Sequence, residues 1–163
     1  MGDGMTWREV LSMARVQHGQ GATRWLADRA GVDIRQAQRW YRGEGTPGHK
    51  AASAFPGIIE EMRRAYVAAQ LRTVRQVRVG TLAVRALSSG KPDGKRRPPD
   101  VLDVAGIMDQ VAAAWEAGRD RQAQDLFDGA VINAYAGEPL GDDSGLASML
   151  GITDYEAGVT VVD

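Results

Sequence analysis

The chain has 163 residues, 44% hydrophobic and 25% charged, with a formal net charge of −1 and no cysteine. That composition fits a soluble globular protein with enough chain for one domain or two small ones, and it excludes a disulfide framework and thiolate metal sites. No apolar run approaches the roughly 20 residues of a bilayer span, and the N-terminus carries no signal-peptide pattern. The expectation is a cytoplasmic protein with no membrane association. The net charge hides a division: residues 1–100 hold 18 Lys and Arg against 9 Asp and Glu, and residues 101–163 hold 2 against 12. A basic part joined to an acidic part suggests a phosphate-facing surface in the first, and in the second a surface that avoids phosphates or meets another partner.

In chain order, Thr6-Trp7-Arg8-Glu9 resembles a capping box, and Val10, Leu11, Ala14 and Val16 continue at helical spacing toward the glycines at 19 and 21. The stretch TRWLADRAGVDIRQAQRWYRG, residues 23–43, follows. Ala27 stands where one helix must pass close beneath the next. Gly31 stands where a tight turn needs a positive φ. Leu26, Ala30, Val32, Ala37 and Trp40 take the spacings that pack two helices together, with Asp33 and Gln36 placed as a second capping box. This is a helix-turn-helix pattern. A Gly/Pro connector leads to a helix from Pro56 to about Leu71 with Ile58, Ile59, Met62, Ala65, Tyr66 and Ala69 on its apolar stripe. The period then changes, and residues 74–87, VRQVRVGTLAVRAL, read as two strands meeting near Gly80 or as one bent strand. SSGKPDGKRRPPD reads as a flexible loop or hairpin tip. The acidic part reads as an antiparallel helical hairpin (104–117 and 120–135, with Gly118 between). A brief helix near Leu146–Leu150 and a terminal strand, ITDYEAGVTVV, complete it. That strand could pair with residues 74–87.

The predicted fold is α+β and mainly helical. Three parts are expected: a helix-turn-helix domain at 1–55, a basic helix with β segment and loop at 56–100, and an acidic helical hairpin with a terminal strand at 101–163.

The chemistry concentrates on the second helix of the helix-turn-helix. Ile34, Arg35, Gln36, Gln38 and Arg39 face outward, and Arg and Gln are the side chains that make bidentate contacts to guanine and adenine edges in the major groove. Arg42 and Lys50 extend the basic surface. Lys95, Arg96 and Arg97 form either a phosphate-binding arm or a solvated linker. Trp25 and Trp40 read as packing residues. His18 and His49 are isolated, so neither a zinc nor a haem site is expected. The Asp142-Asp143 pair reads as a loop feature, because metal catalysis needs oxygen ligands converging from several elements. No P-loop and no dinucleotide motif occurs. No metal and no cofactor is expected.

The order of parts is similar to that of the telomere-protecting terminal proteins of linear actinobacterial replicons. LADRAGVDIRQAQRWYRG opens the similarity, followed by an Arg-bearing helix, a basic β-rich segment, a helical hairpin and an end rich in Asp and Tyr. The resemblance runs from about Gly21 to the end and implies a protein that binds and caps chromosome or plasmid telomeres. It further implies a hydroxyl that primes end synthesis, so that the chain is a protein primer rather than a catalyst, with a telomere-associated protein and a DNA polymerase as partners. The family's acceptor is a threonine. Thr81 and Thr73 are the candidates in the basic β segment, Thr81 beside Gly80 with Arg78 and Arg85 close by. The helix-turn-helix also resembles phage and plasmid repressors of the Cro/Xre kind, which implies a transcriptional regulator dimerising through the C-terminal half, the hairpin at 102–136 being suited to it. A third reading is an interaction protein whose acidic half binds another protein. Double-stranded DNA is the partner common to the first two, and a homodimer is compatible with both.

Overall fold

The computed structural model describes residues 5–87, 92–98, 101–136 and 149–163. The chain is α+β and mainly helical, with N-terminal helices followed by a small antiparallel sheet, a helical hairpin and a terminal strand. It divides into two compact units, Met1–Tyr66 and Val67–Asp163, where the sequence reading drew three parts. The β segment and the acidic hairpin share one hydrophobic core, so the charge division at residue 100 does not coincide with a structural one. Among the described residues no helix is long and apolar enough to cross a membrane.

The first unit is helical. α1 (Trp7–His18) opens on the expected capping box: the Glu9 amide donates to Thr6 Oγ1 at 3.4 Å, and the Thr6 amide donates to Glu9 Oε2 at 2.6 Å. These bonds hold the Glu9 carboxyl below its ordinary value, the backbone bond being the larger cause. A 3-10 turn (Gly19–Gly21) leads into α2 (Ala22–Ala30), and α3 (Ile34–Tyr41) follows after a three-residue turn. Gly31 ends α2 at φ 63°, the left-handed conformation a Cβ would resist. Leu26, Ala27, Ala30, Ala37 and Trp40 are all buried, with Val10, Leu11 and Ala14 of α1 completing the core around them. α4 (His49–Ala52) adds Ala51 to that core, and the first part of α5 (Phe55–Thr73) adds Phe55, Ile58 and Met62.

The second unit is built on β1 (Gln76–Ala86), a single strand, as the second of the two readings had it, with register shifts at Gly80, between Val79 and Thr81, and between Ala83 and Val84. β4 (Leu150–Val162) pairs with it antiparallel along one edge, from Gln76↔Val162 to Ala86↔Leu150, as the terminal-strand expectation had it. β2 (Pro92–Arg96) and β3 (Leu102–Asp103) pair antiparallel with its two ends on the other edge. The stretch read as a flexible loop or hairpin tip is in part a strand that forms a hairpin with β1. Residues 88–91 lie outside the described residues. Val77, Val79, Leu82 and Val84 of β1 are buried against α6 (Ala105–Glu116) and α7 (Asp120–Ala136). Arg78 and Arg85 stand exposed on the outer face. Fully burying side chains of this size contributes about 1.5–3 kcal/mol each. The expected brief helix near Leu146–Leu150 falls mostly outside the described residues, and Leu150 is the first residue of β4.

Candidate nucleic-acid interface

α3 is short, and its orientation is fixed by what lies beneath it. Ala37 is 0% and Trp40 3% exposed, so one face is wholly inside the core, and Trp40 meets Phe55 at 6.3 Å between ring centroids. The N-terminus is capped by Asp33, whose carboxylate accepts from the Arg35 amide at 2.7 Å. The expected capping box does not close. The Gln36 amide donates to the Asp33 backbone carbonyl at 3.0 Å, and no bond from the Gln36 side chain back to Asp33 occurs among the described residues. Gln36 is thus left exposed rather than occupied in a cap.

The outward residues fall on two flanks. Arg35, Gln36 and Arg39 line a groove of about 500 Å³ whose other wall is Glu44, Gly45 and Thr46. Arg35 makes no ion pair among the described residues, and Arg39 donates only to the Glu44 backbone carbonyl at 3.3 Å. Arg42, the C-cap residue, lies on the second flank, and Gln38 is exposed. Arg42 is held by Glu44 in a bidentate pair at 2.9 Å for both bonds, both side chains being about half exposed, so it can exchange this partner for a phosphate at small cost. Ile34 is 37% exposed at the start of the helix. Lys50 is exposed on α4.

Sequence reasoning missed a second basic groove in this unit. Arg8, Ser12 and Arg15 of α1 meet Tyr41 and Arg42 at the C-terminal end of α3 around a space of about 370 Å³. The Arg15 guanidinium lies 4.8 Å over the Tyr41 ring. Burial raises the Tyr41 phenol's ionisation above its ordinary value, with Arg15 opposing, so the hydroxyl stays a neutral donor, and it has no partner among the described residues. The available signal was the spacing of seven between Arg8 and Arg15, which puts both on one face of α1. Its meeting with α3 is tertiary and was not readable.

In the second unit Thr81 is half-buried on the outer side of β1, opposite Glu156 of β4. With Arg78, Gly80, Arg97, Gly158 and Thr160 it lines a shallow cleft of about 340 Å³. Arg85 does not line that cleft, and Arg97 does. Lys95 is paired with Glu156. Arg96 ends β2 opposite Leu82, and its side chain lies outside the description. Thr73 is not in the β segment: it ends α5, and its hydroxyl donates to the Gln70 carbonyl at 2.7 Å. Among the described residues no group of three or more His, Cys, Asp and Glu could hold a metal ion. No family model matches the chain, and no curated protein and no solved structure matches it.

Proposed function

We propose that the protein binds double-stranded DNA sequence-specifically, with α3 in the major groove. One observation carries this reading: Arg35, Gln36, Gln38 and Arg39 are all exposed on a helix whose opposite face is locked by fully buried Ala37 and nearly buried Trp40. Base readout needs planar bidentate side chains at fixed positions, and a helix that cannot rotate supplies them. Arg8, Arg15, Arg42 and Lys50 serve as phosphate contacts that set register and carry no sequence information. The test is selection from a random duplex pool, followed by titration of the best sequence against a scrambled one. Enrichment of a defined site supports the reading, and uniform weak binding to all duplexes opposes it.

Within that reading the role is that of a terminal protein of a linear replicon, binding and capping telomeric ends and offering Thr81 as the priming hydroxyl to a polymerase. Support comes from the resemblance in the order of parts and from the cleft around Thr81, where Arg78 and Arg97 are placed to neutralise an incoming triphosphate. Thr73 is the weaker candidate because its hydroxyl is bonded within α5. The check is mass spectrometry of nuclease-treated protein from cells. A nucleotide retained on Thr81 supports the terminal-protein role. An unmodified chain favours the Cro/Xre-like repressor, which needs the same α3 and no acceptor.

A further inference from the structure

β4 uses one edge to pair with β1, and among the described residues no strand occupies its other edge. An open strand of 13 residues presents a row of backbone donors and acceptors that invites another strand. Two valines at its C-terminal end are incompletely covered: Val159 is 40% and Val161 53% exposed. They pair with Val79 and Val77, which are 5% and 2% exposed, and so share the core face of the sheet. The same two valines form one side of an apolar cavity of about 420 Å³ walled by Leu71, Met108, Trp115 and Phe127. The core of this unit therefore runs out to the open edge.

We infer that this edge is the dimer interface, with β4 of a second copy paired antiparallel to it about a two-fold axis through Thr160. The pattern of charges and exposed valines favours that register. Residues 158–162, GVTVV, carry no charge, and a two-fold centred on Thr160 sets Val159 of each copy opposite Val161 of the other. A two-fold centred on Tyr155 would oppose Asp154 to Glu156, like charges directly across the pair. Centring on Val161 would set the exposed Val159 against Asp163. The register irregularity between Val79 and Thr81, with Gly158 at φ 70°, interrupts the regular ladder on the far side and confines pairing to this segment. The axis runs perpendicular to the sheet, so the four valines join on the core face and the two Thr160 side chains meet on the outer face. The inference stands apart from the DNA-binding reading, and its test contains no DNA.

Thr160 is exposed, opposite the exposed Arg78 and lining the Thr81 cleft on the outer face, so a charge can be introduced there without entering the core. Sedimentation of the full chain, from low micromolar to sub-millimolar concentration, should show a concentration-dependent dimer. Thr160→Lys and Thr160→Glu should each weaken it by about tenfold or more, because each sets like charges across the axis. An equimolar mixture of the two should restore a dimer. Circular dichroism checks that each variant keeps its fold. Hydrogen exchange of the unaltered chain, slowing at residues 158–162 as concentration rises, supplies a readout that needs no variant. A wild-type chain that stays monomeric throughout, single variants as dimeric as wild type, or a mixture that stays monomeric would each overturn the inference.

Discussion

Arginine is presented differently in the two units. On α3, Arg35 and Arg39 stand one helical turn apart on a convex rod, the shape that fits a major groove. On β1, Arg78 and Arg85 stand on the outer face of a sheet whose other face carries Val77, Val79, Leu82 and Val84 into the core. A flat face with spaced cations suits phosphates, which repeat along any duplex, and not base edges. Elsewhere carboxylates occupy the cations, as in Arg29–Glu61 at 2.8 Å in the first unit and Arg72–Glu116 at 2.7 Å in the second. On the proposed reading, helix presentation would supply specificity and sheet presentation sequence-independent attraction.

The comparison can be broken at several points, beginning where the effect is largest. Trp40→Ala removes the anchor of α3 and should cost about 3–5 kcal/mol. Because each unit has its own core cluster, hydrogen exchange should accelerate at Leu26 and Ala30 while Val79 and Leu82 stay protected. Acceleration in both would contradict separate cores.

In the second unit, Tyr155 of β4 donates its hydroxyl to Asp128 of α7, which also accepts from Gln124 at 2.7 Å. Tyr155→Phe should cost about 1.5–3 kcal/mol, as for a hydrogen bond to a charged group. Burial first, then Asp128, raises the Tyr155 ionisation far above its ordinary value of 10.0. A raised folded value means that this stabilisation is complete below pH 10 and is lost as pH rises beyond it. The midpoint of urea unfolding should therefore fall on alkaline titration in the wild type, and by less in Tyr155→Phe. Burial also raises the Asp128 carboxyl above 3.8, against the two hydrogen bonds. That smaller contribution is present below pH 3.8 and lost as pH rises through the folded value.

A smaller loss, about 0.5–2 kcal/mol, is expected for Asp33→Ala, which leaves the Arg35 amide without its cap. Smallest is Arg97→Ala, which should weaken binding equally on all duplexes and reduce the salt slope by about 1. A base-dependent effect of Arg97→Ala would break the assignment of the sheet face to phosphates.

What was legible in the sequence was local. Gly31, Asp33 and the run of alanines each act within a few residues, so the helix-turn-helix could be read directly. The terminal strand and its pairing with residues 74–87 were readable because β-branched residues recur in both. β2 was not: PDGKR has no strand propensity of its own, and pairing with β1 makes it a strand. The Gln36 cap failed because Asp33 meets the second helical amide instead of the third. Arg8 and Arg15 were overlooked as site residues because only tertiary packing brings α1 beside Tyr41. The Tyr155–Asp128 bond joins residues 27 apart across two elements and left no periodic signal.

The most direct measurement is the affinity of the Arg35→Ala/Arg39→Ala variant for the best selected duplex and for a scrambled duplex, at matched salt. Each replacement should cost about 1–3 kcal/mol on the selected site. On the scrambled duplex the loss should be smaller, so that the specificity ratio collapses. An unchanged ratio, with both duplexes bound as by the parent, would contradict α3 as the reading helix.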